Sequence, residues 1–152
     1  MIVLGIDPGQ TGGLAVVSKR GLLGAWPIPL TLPTKKPTVF FAGVVNLVAE
    51  SFITTAVIEQ VHAMPAQGVS SSFQFGRMYG GVEMMAQWLA DEVEYVTPQQ
   101  WKKYFKLGKE KGEAVALATE MYGDKHWKLK KHEGVAEAAL IATWGLHQLG
   151  QK

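Results

Sequence analysis

Two apolar runs open the chain, over 2–6 and 14–17, and the stretch Asp7-Pro8-Gly9-Gln10-Thr11-Gly12-Gly13 separates them. Val, Ile and Leu in such runs favour a pleated, half-buried surface. Proline and glycine end them, one by fixing the backbone and the other by freeing it. The pattern predicts strands over 2–7 and 13–18 joined as a hairpin, with one carboxylate at the buried end of the first. A third run over 22–28 follows the turn Lys19-Arg20-Gly21. It should stop near Pro27, because proline cannot donate to a strand ladder. Short turns between the three predict an antiparallel meander.

After a Pro- and Lys-rich loop at 29–37 the period changes. Phe40, Val44, Val45, Leu47 and Val48 share one helical face, predicting a helix over 39–51 capped by Thr38. Ala56-Val57-Ile58 reads as a short buried strand ending at Glu59. Residues 62–72 contain Pro65, Gly68 and three serines and read as a long loop, a feature that in compact domains usually carries function or moves. A helix over 73–90 follows, its apolar positions interrupted by Gly76, Gly80 and Gly81. Each glycine weakens a helix by about 1 kcal/mol relative to alanine, so these predict close approach of a neighbouring element or a second subunit. Residues 93–96 form a fifth strand. Thr97-Pro98 opens a short helix, a basic loop spans 108–112, and helices are expected over 113–122 and 133–148. In the last of these, small and apolar residues surround Glu137, and Glu133 lies one turn before it. The result is an α/β fold on a five-stranded mixed sheet.

Composition narrows the function. A chain of 152 residues, 47% of them apolar, is expected to form a single domain, 1–152, with a sizeable core. No run of 18 apolar residues occurs, so no transmembrane helix is expected. The N-terminus enters a strand with no basic leader, so no secretory signal is expected either. The absence of cysteine excludes disulfides, thiolate zinc sites and a cysteine nucleophile. The net charge of +2 matters less than its distribution: nine lysines against four acids lie between Lys102 and Lys131. Trp101, Tyr104, Phe105, Tyr122 and Trp127 lie among or beside them. Lysines with aromatics suit a phosphate backbone with exposed bases. A solvated lysine face with its aromatics turned into the core fits the composition equally well.

Three acids stand out by position. Asp7 and Glu59 end apolar strands, and Glu137 sits in an apolar helix. Burying a lone carboxylate costs several kcal/mol unless something pairs with it. Singly, each fits a surface ion pair or a helix-end charge. Jointly, and with Glu133, they supply four oxygen donors suited to a hard cation such as magnesium or manganese. Two such ions about 4 Å apart activate water and stabilise the leaving oxygen in phosphodiester hydrolysis.

These residues carry a resemblance. Gly5-Ile6-Asp7-Pro8-Gly9-Gln10-Thr11-Gly12-Gly13 resembles the first motif of RuvC-type Holliday-junction resolvases, in the ribonuclease-H-like (retroviral-integrase) superfamily. Val57-Ile58-Glu59-Gln60-Val61 resembles the second, and Gly134-Val135-Ala136-Glu137-Ala138-Ala139-Leu140-Ile141-Ala142 the last. The likeness spans nearly the whole chain in order, and the short, lysine-rich form is similar to phage-encoded members. It implies a ribonuclease-H-like fold with helices on both faces of the sheet. It also implies a homodimeric endonuclease, with two Mg2+ or Mn2+ ions per active site, that nicks four-way junctions, forks and flaps. The setting it implies is cytoplasmic (the bacterial host's cytoplasm for a phage protein), without a membrane partner.

By motif position Asp7, Glu59 and Glu137 carry over as catalytic metal ligands. The family's fourth position, three residues before the last acid, is Gly134 here. Glu133 is therefore taken as the fourth ligand, with His132 as runner-up. Lys102, Lys103, Lys109, Lys111, Lys128, Lys130 and Lys131 are expected to meet DNA. Where family members carry a junction-wedging aromatic shortly after the second motif, this chain has His62 and no Phe, Tyr or Trp before Phe73, so a broader taste for branched DNA is expected. The dimer contact is expected on the glycine-containing helix. Three other readings compete: a non-catalytic branched-DNA-binding module, to which Gly134 points; a ribonuclease-H-type RNA nuclease; and an ATPase-like nucleotide-binding fragment, for which the chain is short.

Overall fold

The computed structural model describes residues 1–31, 36–62, 64–110 and 112–150. Strands β1 (Ile2–Asp7), β2 (Gly13–Ser18) and β3 (Gly21–Pro27) form the expected meander, and β4 (Thr55–Glu59) and β5 (Glu92–Val96) complete the sheet. Its order is β3-β2-β1-β4-β5. The meander pairs antiparallel, whereas β1–β4 and β4–β5 are parallel. The central strands are buried on both faces, as their unbroken apolar runs require.

Helices α1 (Phe41–Val48), α2 (Val69–Leu89), α3 (Pro98–Tyr104), α4 (Glu113–Tyr122) and α5 (Glu133–Leu149) cover both faces. Strand periodicity divides the core in two. Val3, Ala15 and Val57 pack with α5, Trp101 of α3 and Ala114 and Ala118 of α4. Leu4, Ile6, Leu14 and Ile58 pack with Val44 of α1 and Met78, Val82 and Met85 of α2. No helix among the described residues is long and apolar enough to cross a membrane.

Two boundaries differ from expectation. The first helix begins at Phe41 and ends at Val48, with no side-chain cap. Val39 instead pairs with Leu30 in an isolated bridge, and the Thr38 backbone N–H donates to Thr31 Oγ1. Cross-chain pairing displaces the local cap. The loop before α2 is also shorter than the serines imply, because Ser70, Ser71 and Ser72 form the helix's first turn. The glycines of α2 do not admit a neighbouring element: a Cβ at Gly76 or Gly80 would meet nothing within 4 Å, and one at Gly81 would meet only Val39.

Candidate active site

The parallel register Ile6↔Ile58 brings the next residue of β1, Asp7, and the last of β4, Glu59, to the same end of the sheet. Helix α5 adds the third acid by lying very close to the meander. A Cβ on Gly5 would collide with the Ala138 carbonyl and Ala142, and one on Gly13 would collide with the backbone of Gly134 and Val135. The small residues around Glu137 serve this close contact: Ala138 and Ala142 face Gly5.

The acids form one electrostatic unit. Burial, then Glu137, Glu59 and least of all Glu133 push the Asp7 carboxyl well above its usual range, while Lys102 pulls it down. Glu59 is 8% exposed; burial raises it, against a hydrogen bond from Trp101 and the charge of Lys102. Glu137 is raised by burial. Lys102 lowers it, Glu59 and Glu133 raise it, and a hydrogen bond with Asp7 lowers it again. The Asp7 and Glu137 carboxyl groups thus act on one another, and Asp7 is the more strongly raised of the two.

Lys102 Nζ stands 3.8 Å from Glu137 Oε1 and 5.2 Å from the centre of the Trp101 ring. The Trp101 indole N–H donates to Glu59 Oε2 at 2.6 Å. Both residues belong to α3. Sequence alone registers Trp101 as an aromatic beside lysines and does not connect it to Glu59. Its pairing with Phe105 at i, i+4 is the signal that marks an inward face.

Gly134 is filled space rather than an omission. It bridges Gly12, and a Cβ there would lie 2.5 Å from the Thr11 carbonyl and 2.7 Å from Asp7 Oδ2. No side chain fits at that position. Glu133 opens α5 and is half-buried. It shares with Lys102, Gly108, Lys109, Glu113 and Glu137 a cavity of about 110 Å³. His132 lies in the 3-10 turn Lys130–His132 that precedes α5.

The lysines flank this mouth. Lys102, Lys103, Lys106 and Lys109 line a groove along α3 and the loop after it, and Lys128 and Lys130 line another beside Glu133. Lys131 is exposed in the 3-10 turn, and Lys111 lies outside the described residues. The interleaved aromatics do not join them as a stacking surface. Trp101 and Trp127 are core residues, and Phe105 and Tyr122 pack against that core. Tyr104 alone of the five is exposed, and its hydroxyl pairs with His147 Nδ1 at 2.9 Å.

Among the described residues no three Asp, Glu, His or Cys side chains already stand close enough to enclose an ion. The donor set nevertheless fits a hard divalent cation. It is all carboxylate, Glu59 is buried and the others half-buried, and burial followed by repulsion from neighbouring acids raises the proton affinity of Asp7 and Glu137, which is the environment that a 2+ charge relieves. The backbones bearing these acids are held by sheet pairing and helix packing, so closing the set on an ion calls for side-chain rotation.

No protein-family model matches the chain, and no curated protein matches it. Solved structures do. The structure of Thermus thermophilus RuvC gives a TM-score of 0.70 at 22% identity, covering 99% of this chain and 97% of that one. T. thermophilus RuvC in complex with a Holliday junction substrate gives 0.69 at 19% identity, with the same coverage. The expected α/β, ribonuclease-H-like fold is met: the chain has the fold of RuvC over nearly its whole length.

Proposed function

We propose that this protein is a divalent-metal-dependent endonuclease that nicks four-way junctions and other branched DNA. The observation that carries the reading is the convergence of Asp7, Glu59 and Glu137 at one buried sheet end, with lysine grooves on either side, on a fold shared with a junction-bound RuvC.

Asp7, Glu59, Glu137 and, at the rim, Glu133 would hold two Mg2+ or Mn2+ ions. Asp7 is central to that set, because all the other acids act on it. When bound, such ions supply hydroxide from water and neutralise the 3′ oxygen as it leaves. The chain's own residues do the rest. Lys102 holds a positive charge beside Glu137, placed to meet a phosphate oxygen. The outer lysines bind backbone phosphates and orient the branch.

The protein acts as a homodimer through α2. Phe73, Met84 and Trp88 are 70%, 68% and 67% exposed. They continue along the helix on the side of the unfilled Gly76 and Gly80, an apolar row that a second copy would cover.

The test is cleavage of a labelled four-way junction, beside linear duplex, single strand and an RNA–DNA hybrid, in Mg2+, Mn2+ and EDTA. Paired metal-dependent nicks near the branch support the proposal. Junction binding without nicking in either metal would replace it with the non-catalytic module. Preferential cutting of the hybrid would replace it with a ribonuclease-H-type activity.

A further inference from the structure

Helix α3 approaches the acids from a side that the motifs do not touch. Thr97 and Gln100 close a reciprocal capping box at its start, with Pro98 in the first turn, so its direction is set where β5 ends. That end is tied to β4: Val96 pairs with Glu59, and the Gln60 N–H donates to the Val96 carbonyl at 2.8 Å. From this base Trp101 enters the core with no exposed surface. Its indole N–H donates to Glu59 Oε2 at 2.6 Å. The indole's one polar atom can only donate, and Glu59 is itself buried. Neither partner can turn to water, so breaking the bond strands a buried polar group on both sides.

We propose that Trp101 is a positioning residue of the active site: its indole N–H occupies one oxygen of Glu59, fixes the carboxylate plane, and leaves Oε1 as the oxygen that meets the cation. This rests on the metal-dependent reading above. Filling the core needs only a ring, which phenylalanine supplies. The N–H adds a neutral donor that orients Glu59 without neutralising it, whereas its neighbour Lys102 brings full charge to Glu137. Two consecutive residues of one capped helix thus act on two acids in different ways. Groups that orient a metal ligand are worth roughly 10–100-fold in metal affinity.

The experiment measures Mn2+ binding to the DNA-free protein by calorimetry, and the Mg2+ dependence of four-way-junction nicking. Three proteins are compared: wild type, Trp101→Phe, and a chain carrying 3-benzothienylalanine at position 101, which keeps the indole shape with sulfur in place of N–H. Both variants should bind Mn2+ about 10–100-fold more weakly. Their half-maximal Mg2+ concentration should rise in parallel, and excess Mg2+ should restore the rate. Unchanged Mn2+ affinity in both variants overturns the proposal. So does a weakening in Trp101→Phe that the benzothienyl protein does not share, since that is packing alone. A wild type that neither binds Mn2+ nor nicks junctions fails the nuclease reading and the positioning role with it. A wild type that does both, with unaffected variants, fails the positioning role only.

Discussion

Replacing Asp7 by Asn should make the metal-free protein more stable while ending cleavage. The Asp7 carboxyl is raised well above its ordinary value of 3.8 by burial and then by Glu137 and Glu59. An acid whose proton affinity rises on folding destabilises the native state wherever it must be ionised, above its raised pKa. That penalty is relieved as the pH falls through the raised pKa toward 3.8, the value of the unfolded chain. Glu59 and Glu137 shift in the same direction, so without metal the wild type should gain stability on mild acidification. Asparagine removes the charge at all pH values and keeps the shape. Lys102 already offsets part of the repulsion, so the gain is set at roughly 1–3 kcal/mol, the lower part of the range seen when buried ionic groups are replaced. For a chain of this size that is a melting shift of about 3–10 °C. The assay is thermal unfolding of both proteins in EDTA from pH 5 to 8, with junction nicking in Mg2+ alongside. The variant should melt higher, most clearly at pH 8, and the gap should narrow toward pH 5. Mg2+ should raise the melting point of the wild type and not that of the variant. A variant that melts below wild type in EDTA at pH 8, or a gap that widens on acidification, would refute the account of Asp7 as an uncompensated buried charge.

Other expectations follow from the same geometry. Gly134→Ala forces its Cβ against the Thr11 carbonyl and Asp7 Oδ2, so urea denaturation should show a destabilisation of about 3 kcal/mol, with nicking impaired. Gly80→Ala meets open space and should stabilise a monomer by about 0.5–1 kcal/mol; sedimentation equilibrium should nevertheless show a weakened dimer, and an unchanged dimer constant counts against the α2 interface. Lys102→Met removes the charge that lowers Asp7, Glu59 and Glu137, so the acid limb of the pH–rate profile should move to higher pH. Changing Lys103, Lys109, Lys128 or Lys130 to Gln in the Asp7→Asn background should reduce the salt dependence of junction binding by about 0.9 in log–log slope for each phosphate that the protein no longer neutralises. A slope that does not move for a given lysine removes it from the DNA-binding face.

The acids are legible in the sequence because their cost is local. A carboxylate closing an apolar strand, or standing among alanines in a helix, violates the surrounding pattern whatever the tertiary structure. The strands of the meander are legible for the same reason, their turns being written in Pro8, Gly9 and Gly21. Direction is harder. Composition registers that Trp101 and Trp127 lie among lysines but says nothing of which way each points, and both turn inward. The start of α1 is misplaced from sequence because Thr38 is a ready cap for the apolar stripe behind it, and only the pairing of Val39 with Leu30 reveals a bridge there. Gly134 is hardest of all. Its meaning depends on Thr11, Gly12 and Asp7, brought to it from the other end of the chain, and no local pattern records that approach.

The same approach explains how a helix and a hairpin far apart in sequence bring Asp7 and Glu137 close enough to act on one another. Gly5 and Gly13 on the strands face the α5 backbone at Ala138, Ala142, Gly134 and Val135, and Gly145 farther along α5 faces Val57 and Val3. The close packing therefore runs along the helix and does not end at the acids. A methyl group at any of these places would lift the helix, and Glu137 would withdraw from Asp7 while most of the apolar core remained covered. Interiors transmit such displacements because they are packed at crystal-like density. The fold thus sets the spacing of these acids by what it leaves out. Glycines bring the backbones together, the backbones bring the carboxylates together, and Lys102 offsets part of the repulsion that results.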